Sequence, residues 1–279
     1  MKYESDKLLG SKKRVWEIDF LRGVAIVMMV LDHLVYDLSI MDSFIAQFNY
    51  SNAFLENLRI FGIAVHKSAI RQALHYFFLP LFLILTGISD SFTSNRYRRV
   101  ITTALLALFM TTATTLFSRI SGMNLLILFG VLHCIALGQL LTALIDLIPY
   151  KIVAKYAQLF LGVTIVVVGI LMPWYDMPWI TLNPNLNYLF GENFSTLMSI
   201  TFGFLRGGAD CLGVFPCAGF VLIGNYLGKS FYQEKKSLLP VLDKPFNRYY
   251  CAIGRYTIWI YLTHQIVIAI VIYALGIFN

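Results

Sequence analysis

Charged residues are scarce in this chain, and hydrophobic ones are abundant. Charged side chains make up only 13% of the 279 residues, whereas a soluble domain carries about 25%, and 58% of the residues are hydrophobic. Long apolar runs recur over the whole length, which excludes a soluble domain with a single anchor. The runs do not alternate between polar and apolar residues, which excludes a membrane β-barrel. The composition predicts an all-α, polytopic transmembrane helix bundle, with one integral-membrane domain over residues 1–279.

Cysteine pairs, metal-ligand spacings and phosphate loops are missing as well. The four cysteines lie in or beside apolar runs and form no CxxC pair, so we interpret them as core residues. The five histidines show no HxxxH or HxH spacing, so no metal site is expected. Walker and Rossmann glycine loops and a GxSxG elbow are also absent. The net charge of +7 is interpreted as a topology signal and not as a sign of nucleic-acid binding.

Seven apolar stretches are each close to the ~20 residues that a helix needs to cross the hydrocarbon layer. They lie at roughly 18–40, 70–91, 100–118, 124–148, 156–173, 210–228 and 251–277. Fifteen lysines and arginines fall on the side of the basic N-terminal segment 1–17, and five fall on the opposite side. The positive-inside rule then predicts a cytoplasmic N-terminus and, with seven spans, an outer C-terminus.

Two long segments fall on the outer side, at 41–69 and 174–209. The second is rich in tryptophan, tyrosine, proline and asparagine, which suits an interfacial belt and also a sugar-binding surface. Its apolar part, 196–209, is either a re-entrant or interfacial piece or an eighth span, which would place the C-terminus inside. No internal repeat is visible, which counts against the inverted-repeat architecture of many transporters.

Ionisable residues at membrane depth are costly, so they are the strongest functional signal in such a chain. Arg22 and His33 are eleven residues apart, which places them on one helix face about 16 Å from each other. Asp19 and Asp37 join that face, whereas Asp32 points about 100° away from His33 and is set aside. The Asp19–Arg22 pair either orients the helix end or has a functional role. His33 beside Asp37 is either a helix-to-helix contact or a general base.

Other polar groups at membrane depth come from separate spans. They are His75, His133 in FGVLH, Asp210 in DCLGVFP, and His264 with Gln265 in YLTHQ. Each of these is a packing group or a catalyst when taken alone. Together with His33, however, the chain has four histidines at similar depth, which favours a functional site. Arg255 and His264, nine residues apart, would fall on opposite faces of one continuous helix.

An ordered set of motifs resembles a known family over nearly the whole chain. The motifs are RVWEIDFLRGVAI at 14–26 with His33 and Asp37 after it, FFLPLFLILTGIS at 77–89, FGVLH at 129–133, Asp210 with Pro216 and Gly219, and GRYTIWIYLTHQ at 254–265. The set resembles the bacterial DUF1624 family, which is related to the catalytic domain of heparan-α-glucosaminide N-acetyltransferase. The spacing from Arg22 to His33 is also similar to the Arg-x10-His signature of the membrane acyltransferase-3 group.

The resemblance implies transfer of an acetyl group across the membrane, from cytoplasmic acetyl-CoA to an amine or hydroxyl of an extracytoplasmic sugar or glycan. It implies that Asp19, Arg22 and Arg255 hold the CoA thioester through its anionic nucleotide. His33, with Asp37, would deprotonate the acceptor or take the acetyl group itself. His264, His133 and Asp210 would orient His33 or stabilise the oxyanion.

Two other classes of function stay open at this point. One is a carrier or flippase that is proton-coupled through its aspartates and histidines, and the other is a structural membrane protein. Thermal protection by CoA and loss of transfer in His33→Ala would favour the enzyme, whereas substrate-driven pH changes in proteoliposomes would favour the carrier. Membrane lipid is an expected partner and nucleic acid is not, and the sequence leaves open whether the chain forms a homo-oligomer.

Overall fold

A computed structural model describes residues 14–45, 47–123, 125–172, 177–180, 182, 193–232 and 234–278. Residues 1–13 of the predicted cytoplasmic segment lie outside the described residues. So do most of the aromatic, proline and asparagine side chains on which the belt and sugar-surface interpretations of 174–209 rest.

Within the described residues the chain forms ten α-helices and one very short sheet. The helices are α1 Trp16–Ser39, α2 Ala53–His66, α3 Ala69–Ser91, α4 Arg96–Ser121, α5 Val131–Ile145, α6 Lys151–Leu171, α7 Phe194–Phe202, α8 Val214–Phe231, α9 Asn247–Arg255 and α10 Thr257–Leu275. Strands β1 Trp179–Ile180 and β2 Arg206–Gly207 pair in parallel, with Trp179 opposite Arg206. The prediction of a helical fold is therefore confirmed.

Four described helices, α3, α4, α6 and α10, are long and apolar enough to cross a membrane. The apolar helix α5 has only 15 residues, and the 24-residue α1 carries more charge than an apolar span does. Length and composition thus indicate a membrane protein. The count of seven or eight spans and the orientation stay predictions.

The structure differs from the expected spans in three places. The outer segment 41–69 contains α2, whose first turn is capped by the Asn52 side chain, which accepts hydrogen bonds from two backbone N–H groups. Among the described residues of the predicted span 124–148, the α-helix covers only Val131–Ile145, and Gly122, with a φ of 71°, ends α4 before this span. The stretch 251–277 is two helices that meet at Tyr256, where Thr257 Oγ1 donates to the Gly254 carbonyl at 2.7 Å. Arg255 and His264 therefore belong to different helices.

The chain divides into two compact units, with the boundary inside α3. The first unit comprises residues 1–82 and 235–279, and the second comprises residues 83–234. In the first unit α1 packs against α2, α9 and α10. Its apolar core lies beyond the C-terminal end of α1 and consists of Leu38, Met41, Ile45, Phe48, Leu55, Ile268 and Ile272.

Glycines allow close helix contacts in the second unit, where α8 packs against α3, α5 and α6. A Cβ on Gly224 would lie 2.1 Å from the Ile84 carbonyl oxygen of α3, and one on Gly219 would lie 2.6 Å from the Gly162 oxygen of α6. Small residues serve this purpose in membrane bundles, where close backbone packing replaces the hydrophobic effect as the source of helix association. The FGVLH and DCLGVFP motifs belong to this unit.

Candidate functional site

Three arginines surround one buried carboxylate at the N-terminal end of α1. Arg22 Nη1 donates to Asp19 Oδ1 at 3.3 Å and to the Gly254 carbonyl at 3.3 Å. Arg255 Nε lies 3.7 Å from Asp19 Oδ2, and Arg14 Nη1 lies 3.5 Å from the same oxygen. We call these four side chains the arginine cluster. It carries three positive charges and one negative charge, and the side chains of Arg14 and Arg255 are 58% and 52% exposed.

Two glycines create this cluster by bringing two helix backbones into contact. A Cβ on Gly23 would lie 2.0 Å from the Tyr250 carbonyl oxygen, and one on Gly254 would lie 1.8 Å from the Asp19 carbonyl oxygen. No larger residue fits at either position. The sequence pairs Arg22-Gly23 and Gly254-Arg255 therefore act together, because each glycine permits the approach that brings the neighbouring arginine to Asp19.

The C-terminal half of α1 carries a second group of polar side chains, built around Asp32. Arg71, on α3, donates to both carboxylate oxygens, through Nε to Oδ1 and through Nη2 to Oδ2 at 2.7 Å. His75, one turn further along α3, has its Nδ1 3.1 Å from Oδ2. A carboxylate that accepts from Nδ1 orients the imidazole and leaves Nε2 as a proton acceptor, the arrangement found in Asp-His pairs of many enzymes. The His75 side chain is 38% exposed.

His33 and His264 form a ring pair beside Asp32. Their ring centroids are 4.9 Å apart, at an interplanar angle of 57°. His33 also lies within electrostatic range of Asp32, Arg71 and His75. Among the described residues, neither ring nitrogen of His33 has a hydrogen-bond partner. The ring is therefore placed by packing and keeps its lone pair available.

The tautomer of His264 follows from its backbone contacts. Its Nδ1 lies 2.8 Å from the Tyr261 carbonyl oxygen and 3.2 Å from that of Ile260, so Nδ1 carries the proton and donates it. Its Nε2 is buried and has no hydrogen-bond partner among the described residues. His264 thus presents a second unused imidazole lone pair in the same region as His33.

Asp37 lies one turn beyond His33 and is almost fully buried, with 2% of its surface exposed. Gln265 Nε2, on α10, donates to Asp37 Oδ2. This contact joins α1 to α10 at the residue after His264. It therefore fixes the position of the His264 ring against His33.

A fourth imidazole, that of His66 at the end of α2, completes the group. Its ring packs on Tyr36 with centroids 5.3 Å apart, and it lies within electrostatic range of Arg71 and Asp32. Burial, together with the nearby Arg71 guanidinium, lowers the pKa of His66. The neutral imidazole is favoured, and its buried Nδ1 has no partner among the described residues. We call Asp32, Arg71, His33, His66, His75 and His264 the histidine cluster.

Sequence reasoning missed Asp32, Arg71 and His66. A helical projection of α1 compares side chains of one helix only, so it separated Asp32 from His33, although Arg71 and His75 of α3 bind Asp32 and lie within electrostatic range of His33. His66 was missed because α2 was not predicted. The pairing of Arg71 and His75 one turn apart on an apolar helix was the available signal, since an arginine at that depth needs a carboxylate.

In the second unit, both ring nitrogens of His133 form hydrogen bonds with neighbouring residues. The Gly130 N–H donates to Nδ1 at 3.2 Å, and Nε2 lies 3.1 Å from Thr111 Oγ1, which itself donates to the Ile127 carbonyl. This chain of bonds fixes the start of α5 against α4. It leaves His133 without a lone pair for chemistry in this arrangement.

Asp210 contacts the next backbone N–H group, that of Val131. The Val131 N–H lies 3.4 Å from Asp210 Oδ2, and a Cβ on Gly130 would lie 2.6 Å from that oxygen. A carboxylate at a helix N-terminus is stabilised by the unpaired N–H groups and the helix dipole. His133 and Asp210 are thus brought together around Gly130.

The second unit also contains a buried ionic network that sequence reasoning did not find. Asp90 accepts from Thr142 Oγ1 at 3.2 Å and from Asn225 Nδ2 at 3.0 Å, and Arg99 Nε lies 3.5 Å from its other oxygen. Lys229 Nζ donates to the side-chain oxygen of Gln158 at 3.0 Å and also pairs with a carboxylate at the end of α5. The network links five helices, α3, α4, α5, α6 and α8, through charged, amide and hydroxyl groups.

The comparisons with known proteins point to one family. Among the described residues, no group of three or more His, Cys, Asp and Glu side chains is placed to hold a metal ion. Searches of curated proteins and of solved structures returned no match. A family model described as heparan-alpha-glucosaminide N-acetyltransferase, catalytic, matches residues 14–266, which include both clusters of the first unit and the His133 and Asp210 motifs. The chain therefore belongs to the heparan-alpha-glucosaminide N-acetyltransferase catalytic-domain family and is a membrane protein of a transferase family.

Proposed function

We propose that the protein transfers an acetyl group from cytoplasmic acetyl-CoA to an amine or hydroxyl of an extracytoplasmic glycan. Membership of a membrane acetyltransferase family supports the reaction class. The donor, the acceptor and the residue roles rest on the chemistry of the two clusters. The bacterial-type cytoplasmic membrane and the orientation with the N-terminus inside belong to the same proposal.

The observation that carries the proposal is that α1 bears an arginine cluster towards one end and a histidine cluster towards the other. The eleven residues from Arg22 to His33 correspond to about 16 Å along a helix axis. An extended pantetheine arm has a comparable length. CoA phosphates held by the arginines would therefore leave the thioester within reach of the imidazoles.

The arginine cluster suits the nucleotide end of CoA. Asp19 neutralises one of its three charges and fixes the guanidinium groups, while the exposed Arg14 and Arg255 side chains keep N–H groups free to bind phosphate. Arg22 is less exposed, at 18%. It joins α1 to α9 through the Gly254 carbonyl and so holds the cluster in place.

The histidine cluster suits proton transfer during attack on the thioester. An imidazole takes the proton of the acceptor N–H or O–H as the acceptor oxygen or nitrogen bonds to the thioester carbon. The tetrahedral intermediate then expels the CoA thiolate, which takes up the proton. The cluster offers His33, whose ring nitrogens have no hydrogen-bond partner among the described residues, and His75, which Asp32 orients. Asp32, Asp37 and His264 act as positioning residues.

His133 and Asp210 have a different role in this proposal. Their contacts order the peptide at Gly130 and the start of α5. We therefore assign them to the structure of the second unit rather than to proton transfer.

The test is acetyl-CoA turnover by the purified protein in lipid nanodiscs, with glucosamine and glucose as amine and hydroxyl acceptors. We expect CoA release that depends on the acceptor, and thermal protection by CoA. His33→Ala and His75→Ala should each be compared with wild type, with melting temperatures measured alongside, because general-base removal lowers the rate about 10²–10⁴-fold. A protein that neither binds nor hydrolyses acetyl-CoA would contradict the proposal.

The carrier alternative has one observation in its favour, the buried Asp90 and Lys229 network of the second unit. Ionisable groups buried in a helix bundle also mark proton pathways. Proteoliposomes that show substrate-driven pH changes without CoA consumption would favour that function over acetyl transfer.

A further inference from the structure

Residues 238–246 form a continuous segment in which every residue is exposed. Five of the nine are large and apolar, and Val241 is 86% exposed. The other four of these apolar residues are Leu238, Leu239, Leu242 and Phe246, each at least half exposed. Contiguous apolar surface of this kind is unfavourable in water and marks an interaction site.

The segment is fixed to the start of α1. Trp16 Nε1 donates to Ser237 Oγ at 3.0 Å, and the Leu238 N–H donates to the buried Glu17 carboxylate at 2.6 Å. A short 3-10 turn over Pro240–Leu242 then shapes its tip. The apolar side chains are thus presented from a held backbone at the end of a membrane-protein helix.

Basic and aromatic residues accompany the apolar ones. Lys236, Lys244 and Arg248 are exposed, and Asp243 is the one acidic side chain between Ser237 and Tyr249. Tyr249, at the start of α9, is 76% exposed. Apolar, aromatic and basic side chains in one stretch are typical of segments that lie in the interface of an anionic bilayer.

We propose that residues 236–249 form a lipid-docking segment, which inserts its apolar side chains into the bilayer interface and binds anionic phospholipid headgroups. Lipid is favoured as the occupant because the chain belongs to a family of membrane proteins and the basic charge of the segment complements a negative surface. The proposal does not depend on acetyl transfer, so the two can fail separately.

The first experiment measures how deeply the segment lies in the bilayer, with the full chain in nanodiscs of phosphatidylcholine and phosphatidylglycerol. A spin label on Val241→Cys, in a Cys211→Ser background, reports collisions with oxygen, which enters the bilayer, and with a nickel chelate, which stays in water. We expect oxygen to dominate at position 241, and the chelate to dominate at the exposed loop control Ser51→Cys. A label at 241 that is as accessible to the chelate as the control overturns the proposal. Spin–spin broadening between two chains identifies a second copy as the occupant and also overturns it.

The second experiment tests the basic side chains of the segment by measuring the preference of the protein for anionic over zwitterionic lipid. Lys244→Gln/Arg248→Gln should weaken the preference for phosphatidylglycerol over phosphatidylcholine, by about fivefold for each charge removed. Arg98→Gln/Lys151→Gln removes the same charge from exposed positions elsewhere and should have a smaller effect. Equal effects of the two pairs overturn the proposal. Inorganic phosphate that reproduces the phosphatidylglycerol effect in phosphatidylcholine nanodiscs points to a free phosphate site instead of the membrane and overturns it as well.

Discussion

At the scale of residues, Asp32 is the side chain on which most of the histidine cluster depends. Its carboxylate binds both Arg71 and His75, and it lies within electrostatic range of His33 and His66. Sequence patterns identified the histidines as unusual but could not identify their partner. A carboxylate that looks isolated on its own helix becomes the centre of a site once a neighbouring helix is in place.

Asp32→Asn should therefore lower both stability and activity. The substitution leaves the Arg71 charge without its carboxylate, and we expect the free energy of unfolding to fall by about 2 kcal/mol. This is less than the loss for a fully buried pair, because both side chains are partly exposed. Chemical unfolding of the protein in nanodiscs measures this loss of stability. Adding Arg71→Gln should restore part of the stability but not the activity.

The matched control for this change is Asp42→Asn. That carboxylate also pairs with an arginine, Arg59, but Arg59 keeps Glu56 as a second partner at 2.8 Å. The control should unfold almost as wild type does. Equal losses in Asp32→Asn and Asp42→Asn would contradict the central position given to Asp32.

For His133, the geometry favours a structural role at the start of α5 over a role in the chemistry. If it holds the start of α5, then Thr111→Val, which removes its Nε2 partner, should reduce stability by about 1–2 kcal/mol, as His133→Ala does. Both variants should keep a measurable rate at a temperature where they are folded. A folded His133→Ala protein with no turnover, beside a fully active Thr111→Val protein, would show that His133 takes part in the chemistry.

At the scale of elements, the contact of α1 with α9 decides whether the arginine cluster exists. Gly254→Ala places a Cβ against the Asp19 carbonyl, so the two helices must move apart. Overpacking of this kind costs about 1–3 kcal/mol. We also expect weaker binding of CoA, measured by thermal shift, because Arg255 moves away from Asp19.

Gly276→Ala is the control for this helix contact. A Cβ there would meet only the Ile45 side chain, at 3.2 Å or more, which can adjust. The substitution should leave both melting temperature and CoA protection unchanged. Unchanged CoA protection in Gly254→Ala would show that the glycine contact does not position the arginines.

Apolar runs predicted most helices of the chain, but not where they break. The single predicted span 251–277 is two helices, because the break at Tyr256 depends on hydrogen bonds around Gly254 and on the packing of that glycine against α1. The helix α2 was missed because its 14 residues are too few to cross the hydrocarbon layer. Positions of arginines and histidines were visible in the sequence, whereas their partners depend on contacts between helices that hydropathy does not contain.

At the scale of the whole molecule, the main prediction concerns topology. The described α7 has nine residues, about 14 Å of helix, whereas the hydrocarbon layer is about 30 Å thick. The helix α7 is therefore too short to be an eighth span, and we keep the prediction of seven spans and an outer C-terminus. Because the predicted C-terminus is on the outer side, alkaline phosphatase fused after residue 279 should be active, and a fluorescent protein fused at the same position should not fluoresce. The opposite pattern, with a bright fluorescent fusion, would require an even number of spans.

The central claim is that donor binding and chemistry are divided between the two clusters along α1. The most direct test is steady-state kinetics for acetyl-CoA with one variant of each cluster. Arg255→Gln should raise KM about 10-fold or more with kcat nearly unchanged, because it removes a charged contact to phosphate. His33→Ala should lower kcat at least about 100-fold with KM nearly unchanged. Variants that both change only kcat, or that exchange these effects, would contradict the account.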